Sequence, residues 1–316
     1  MISRRHFLRF IAGVGALGAS TATYGFGIEP VLRLRVARYN ITPPQWPAGF
    51  QLKIAAIADL HACDPWMSLN HIQAIVERAN ALGADIIVML GDYVAGHRHV
   101  TRTIPAGEWA PVLAGLKAPL GVHAILGNHD WWDDKTVQRD GQGPTITRQA
   151  LEAAGIPVYE NDVVRLTKAG RPFWVAGLGD QLAYLPARRF RPVRRIGVDD
   201  LTATLAKVTD DAPVILLAHE PDVAMRVPSR VALQLSGHRR AGTIVRLVAG
   251  GAVALREPAG LRPYQDKLRC RHFRRPWLQH HAVPSRRSAG NRAGDGGREK
   301  PGHFVAENTG ISHSWQ

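Results

Sequence analysis

Val122-His123-Ala124-Ile125-Leu126-Gly127-Asn128-His129-Asp130 begins as an apolar run of strand length and ends on residues rich in metal-competent atoms. An ordinary turn has little use for an imidazole between an amide and a carboxylate, so this ending guides the reading of the rest. The same construction recurs along the chain. Lys53–Ala58 runs into Asp59-Leu60-His61, and Asp85–Leu90 runs into Gly91-Asp92. Pro213–Ala218 runs into His219-Glu220, and Val231–Leu235 into Ser236-Gly237-His238. Further strands are expected at Val31–Ile41 and Phe173–Ala176. Helices are expected from a Ser68 cap to about Leu82, at Ile146–Ala154 and at Val198–Val208. Strands alternating with helical patterns predict an α/β layered fold, with ligands gathered at the carboxyl ends of the strands.

Taken singly, these endings are weak. Asp59-x-His61 arises often by chance, Gly91-Asp92 reads as a turn, and His219 as a strand-end histidine. Five such endings in order point to one shared site. Carboxylate, amide and imidazole donors favour Mn, Fe or Zn over Ca or Mg, and one Asp can bridge two ions. Two ions about 3.5–4 Å apart can activate a water and clamp a phosphoryl group.

On these residues the sequence resembles the calcineurin-like metallophosphoesterase superfamily. Its pattern is Asp-x-His, Gly-Asp, Gly-Asn-His-Asp/Glu, a later His, and Gly-His-x-His. The resemblance runs from about Ile54 to His238 and implies a two-sheet αββα sandwich with two divalent ions. It assigns Asp59 and His61 to the first ion, Asp92 to the bridge, and Asn128, His219 and His238 to the second. It makes His129, oriented by Asp130, the general acid, with a metal-bound hydroxide attacking phosphorus. The implied substrate is a phosphodiester or pyrophosphate. The export signal, the length and Ala218-His219-Glu220-Pro221-Asp222 look most like the membrane-associated bacterial subgroup, some of which resemble UDP-2,3-diacylglucosamine hydrolases. A lipid or nucleotide-sugar lipid is therefore a candidate substrate, and a membrane surface and a monomeric state are expected.

Two motifs near the site are ambiguous. Gly96-His97-Arg98-His99 has the Gly-His-x-His form but follows Asp92 directly, and reads as a solvated or pocket-wall loop. Trp131-Trp132 reads equally as core or as an aromatic lip.

The sequence departs from the family at its last motif. It has Gly237-His238-Arg239-Arg240, and a guanidinium at Arg240 has no lone pair for a cation. Beyond about Gly250 the periodicity dissolves, with no defined strand or helix. Back-translated and read one nucleotide downstream, Ala254–Arg262, His272–Trp277 and Arg286–Asn291 permit, in order, strings that look like the family's C-terminal segment. A frameshift between about His238 and Gly250 is the expectation, with one metal bound well, a second poorly, and low turnover. The rival is a catalytically impaired fold whose Arg-rich tail binds anionic lipid or nucleic acid. No binding motif supports nucleic acid.

The 316 residues carry a formal charge of +14, with 45% hydrophobic and 21% charged residues, a globular balance that excludes disorder and fibres. The charge is uneven: from Arg239 onward 13 Arg and 2 Lys face 2 Asp and 3 Glu. Cys63 and Cys270 cannot build a disulfide framework. No apolar run reaches about 18 residues, which excludes a multi-pass membrane protein. Ser3-Arg4-Arg5-His6-Phe7-Leu8 precedes a weakly apolar, glycine-rich run and resembles a twin-arginine export signal, placing the protein in the periplasm or on the outer face of the cytoplasmic membrane. The expected organisation is 1–28 signal or anchor, 29–248 phosphoesterase domain and 249–316 tail.

Overall fold

The computed structural model describes residues 3–22, 34–43, 45–96, 100–184, 196–237, 246–249, 252–253 and 304–310. In chain order the elements are α1 (Arg4–Ala22), β1 (Arg35–Ile41), β2 (Leu52–Ile57), β3 (Cys63–Asp64), α2 (Leu69–Ala81), β4 (Ile86–Met89), β5 (Arg102–Thr103) and α3 (Ala106–Leu113). Next come β6 (Val122–Ala124), α4 (Asn128–Trp132), α5 (Lys135–Asp140), α6 (Ile146–Ala153), β7 (Asp162–Lys168), β8 (Arg171–Gly177), α7 (Leu201–Ala206) and β9 (Val214–Leu217). A 3-10 turn at Pro221–Met225, then β10 (Val231–Ser236), β11 (Arg246–Ala249), β12 (Ala252–Val253) and β13 (Phe304–Gly310) complete the described chain.

Side-chain alternation along the strands builds the layers. Ile54 and Ala56 of β2, Ile86 and Val88 of β4, Phe173 and Val175 of β8, and Ile215 and Leu217 of β9 share one buried cluster between two sheets. The intervening Ala55, Ile57, Ile87 and Met89 face outward into a cluster with Ile72, Ile75 and Val76 of α2 and Trp109 and Leu113 of α3. On the far side, Trp174, Ala176, Val214 and Leu216 pack with Leu201 and Leu205. Strands covered on both faces read as unbroken apolar runs, which explains Ile86–Met89 and Val214–Leu217. The result is the αββα sandwich expected from the sequence.

The first sheet has the order β1-β13-β2-β4-β6, and the second β12-β11-β10-β9-β8-β7. β2, β4 and β6 run parallel, as do β8, β9 and β10, so their carboxyl ends collect on one edge of each sheet. The N-cap at Ser68 is as expected: its hydroxyl accepts from the His71 amide at 3.4 Å.

Several elements differ from the sequence expectation. β7 is a charged edge strand turning into β8 through Ala169 and Gly170, both at positive φ, the geometry of a tight hairpin. α3 was hidden by Pro111 within it. The helix expected at Val198–Val208 is shorter, because Asp200 caps it at the Ala203 amide. The tail read as free of strands contributes β12 and β13. β13 lies between β1 and β2, antiparallel to the first and parallel to the second. Finally, Gly13, Gly15 and Gly18 do not prevent α1, whose Phe10, Ile11, Val14 and Leu17 are exposed.

Candidate metal centre

The site forms where β2, β4, β6 and β9 end. The loops after β2 and β4 are laced together: the amides of Asp59, His61 and Ala62 donate to the carbonyls of Gly91, Asp92 and Tyr93 at 3.0, 3.0 and 2.8 Å. Asp59, His61 and Asp92 all hold positive φ, at 51°, 46° and 59°. L-residues with Cβ atoms rarely occupy that region, and its concentration in three ligand candidates marks backbone strain stored at a functional site.

Asp92 is the hub. His219 Nε2 stands 3.3 Å and His61 Nε2 3.6 Å from its Oδ2. Its Oδ1 accepts the His129 amide at 2.9 Å. The Nδ1 atoms of both histidines meet carbonyls, His61 at Val94 (2.8 Å) and His219 at Leu90 (2.6 Å). A carbonyl only accepts, so each Nδ1 carries a proton and each Nε2 faces Asp92. Burial lowers the His61 pKa, whereas on His219 burial opposes charge but Asp92 and Asp59 raise the pKa well above the usual range. One ligand atom each from Asp59, Asp92 and His219 lies within 4.8 Å of the others.

Asn128 is fully buried, yet neither polar atom of its amide has a hydrogen-bond partner, and Asp59 Oδ1 is in the same position. Buried polar groups without partners are costly, and here they line a set of donors suited to a divalent cation. Burial pushes the Asp59 carboxyl up to about 8, with Asp92 adding to the rise against the pull of His219. Burial also opposes charge on Asp92, but His219 and His61 hold it well below the usual carboxylate range. Gly127 leaves no room for a side chain, since a Cβ there would run into Asp92 Oδ1 and sit 2.7 Å from His219 Cε1. The residues present therefore fit a metal centre. Asp59, Asp92 and His219 come together, His61 reaches Asp92, and Asn128 lies buried at the start of α4. His238 lies outside the described residues. Its predecessor Gly237 donates to the His219 carbonyl at 3.1 Å.

His129, on the first turn of α4, has its ring centroid 5.1 Å from that of His61 and 5.1 Å from that of Trp132, both edge-to-face. The expectation that Asp130 orients it is corrected. Asp130 is buried, and its two oxygens accept the backbone amides of Asp92, Tyr93, Val94 and Gly127 at 2.9, 2.9, 3.3 and 2.9 Å. Burial and the neighbouring Asp92 charge push its carboxyl up to about 7. The carboxylate at His129 is Asp133 instead, with Oδ2 3.6 Å from Nδ1. Burial opposes charge on His129, but Asp133, Asp92 and Asp130 together outweigh it and raise its pKa. The i,i+4 spacing on a helix was the available signal.

Trp131 is core and Trp132 is a half-buried wall whose Nε1 donates to the Leu182 carbonyl at 2.6 Å. The loop after Asp92 also forms a wall, because Gly96 abuts His129 so closely that a Cβ would collide with the ring. His97–His99 lies outside the described residues. Sequence reading missed Asp180, which follows β8 as Asp92 follows β4, in each case after a glycine. It is buried, as is Glu220, and burial and the Glu220 charge raise its carboxyl well above the usual range.

The sequence model described as Calcineurin-like phosphoesterase matches residues 52–241. An uncharacterized metallophosphoesterase, YkuE of Bacillus subtilis (strain 168), is 31% identical over 253 residues, covering 77% of this chain and 78% of its own. An uncharacterized metallophosphoesterase of Aquifex aeolicus (strain VF5) is 29% identical, covering 68% and 76%. The UDP-2,3-diacylglucosamine pyrophosphatase LpxG of Chlamydia trachomatis is 34% identical over 133 residues, 40% of this chain and 36% of its own.

Proposed function

The chain belongs to the calcineurin-like phosphoesterase family, a hydrolase of phosphoric esters, and from that premise we propose that it cleaves a phosphodiester or pyrophosphate. The observation that carries this reading is the convergence on Asp92 of two imidazole Nε2 atoms and the Asp59 carboxylate. Asp59, His61 and Asp92 would hold one divalent ion, and Asp92, Asn128, His219 and His238 another. Such ions, of Mn, Fe or Zn, polarise a phosphoryl group and acidify a water. The protein's own part is to hold the Nε2 atoms inward through the Val94 and Leu90 carbonyls, and to protonate the leaving oxygen from His129.

The Chlamydia relative, a UDP-2,3-diacylglucosamine pyrophosphatase, makes a lipid-linked nucleotide-sugar pyrophosphate one candidate substrate. The Arg4-Arg5 pair at the start of α1 and the exposed apolar side chains of that helix support export by the twin-arginine route and work at a membrane face. No helix among the described residues is long and apolar enough to cross a membrane.

The test compares bis(4-nitrophenyl) phosphate with 4-nitrophenyl phosphate after chelation and Mn addition, using the wild type and His129→Ala. Mn-dependent turnover favouring the diester is expected, falling roughly 100-fold or more in the variant at unchanged metal content. Preference for the monoester, or a His129→Ala variant as fast as wild type, would refute the reading.

A further inference from the structure

We infer that Asp133 is the positioning residue for His129: its carboxylate holds Nδ1 and thereby presents Nε2 to the leaving oxygen. This rests on the reading of His129 as the general acid.

Helical register and contacts carry the inference. His129, Trp132 and Asp133 stand at i, i+3 and i+4 around the first turn of α4, so one short helix supplies the imidazole and two of its contacts. Asp133 Oδ2 is 3.6 Å from Nδ1, an ion-pair distance that can tighten when substrate closes the site. Trp132 meets the ring edge-to-face and is itself held by the Leu182 carbonyl. His61 packs across another side of the ring, and Gly96 closes on the Nδ1 and Cε1 atoms. Asp130 is committed to four backbone amides, which leaves Asp133 as the carboxylate at Nδ1 among the described residues.

In the reaction the oxygen of water forms a new bond to phosphorus and sheds a proton to solvent. The bond from phosphorus to the leaving oxygen breaks, and that oxygen takes the proton from His129 Nε2. Nδ1–H stays on the ring, directed at Asp133. A carboxylate in that place fixes the tautomer and the ring's orientation, an effect worth about 10–100-fold in comparable outer-shell partners.

The experiment has two arms on the full-length chain. In the first, 15N spectra of the histidine side chains are recorded for the wild type, Asp133→Ala and Asp133→Glu, and His129 is identified by the signal lost in His129→Ala. Asp133→Ala should shift protonation of neutral His129 from Nδ1 toward Nε2, and Asp133→Glu should restore the wild-type pattern. Unchanged His129 nitrogen shifts in Asp133→Ala would overturn the inference, whatever the turnover.

In the second arm, phenyl and 4-nitrophenyl diesters are compared. Loss in Asp133→Ala should fall on kcat rather than KM, and be at least about 10-fold greater for the poorer phenyl leaving group. Equal loss on both esters, or full additivity of Asp133→Ala with His129→Ala, would mark a merely structural role. If His129→Ala itself keeps full turnover, it is the general-acid reading that fails, a result distinct from failure at Asp133.

Discussion

His219 Nε2 stands 3.3 Å from Asp92 Oδ2, and both side chains are buried. With Asp59 alongside, the pocket concentrates anionic oxygen where water is excluded, which a divalent cation would stabilise. Adding Mn to the chelated protein should therefore raise its unfolding free energy by about 2.7 kcal/mol at about 100 times the Kd. Asp92→Asn should remove that increment. Denaturant melts with and without Mn measure it, and an equal increment in the variant would exclude Asp92 as a ligand.

Asp130 should behave as a structural residue. Its carboxylate ties the loop after β4 to the turn before α4, and Asp130→Ala strands several buried amides at about 1–3 kcal/mol each. A loss of roughly 3 kcal/mol or more is expected from urea melts, with a smaller loss for Asp130→Asn. A fully stable Asp130→Ala variant with impaired turnover would return it to a role at His129.

Gly96→Ala tests the wall beside His129. The new methyl cannot share space with the imidazole, so either the ring or the loop moves. Displacement of about 1 Å can cost about 100-fold in rate, so a large fall in kcat with an unchanged melting temperature is expected. Undiminished kcat would show that the loop yields freely.

His123 contributes to the pH dependence, as do His61 and His71, whose pKa values burial also lowers. His123 is buried at the foot of β6, with Nε2 on the Leu120 carbonyl and Nδ1 on the Tyr159 hydroxyl, and burial lowers its pKa. Its folded pKa lies below the unfolded value of about 6.5, so the unfolded chain binds the extra proton first. Stability from this residue is complete above about pH 6.5 and declines as pH falls toward the folded pKa. His123→Gln should flatten that part of the curve in melts between pH 7 and 5. An unaltered slope would assign the acid sensitivity elsewhere.

Resequencing the gene across codons 230 to 316 tests the proposed frameshift. A restored base should replace Arg240 with a metal-competent residue and bring the tail into the family's pattern. An unchanged reading leaves Arg240 in place, and Mn titration should then show one tight and one weak ion.

Much of the sandwich was legible because Ile54–Ile57, Ile86–Met89 and Val214–Leu217 are covered on both faces, so burial wrote itself as apolar runs. Asp59, His61, Asp92, Asn128 and His219 were legible as polar endings to those runs. Asp133 and Asp180 were passed over, although the first stands four residues after His129 and the second follows a strand-end glycine as Asp92 does. Asp130 was misread because its neighbour in sequence is His129, whereas its partners in space are amides of the loop after β4 and the turn before α4. β7 stayed hidden because an edge strand with exposed Arg165 and Asp162 has no apolar run to show.

The position of β13 bears on how the molecule can be made. Phe304 pairs with Leu52 and Gly310 with Arg35, so the strand that leads to Asp59 gains this neighbour only after residue 304 has been made. Until then β2 presents a bare hydrogen-bonding edge, and contacts of such sequence separation form slowly. A chain cut short before residue 304 would keep every described metal-ligand candidate and still offer an open seam for other chains to join. A strand made long after β2 thus guards the edge of β2 against aggregation.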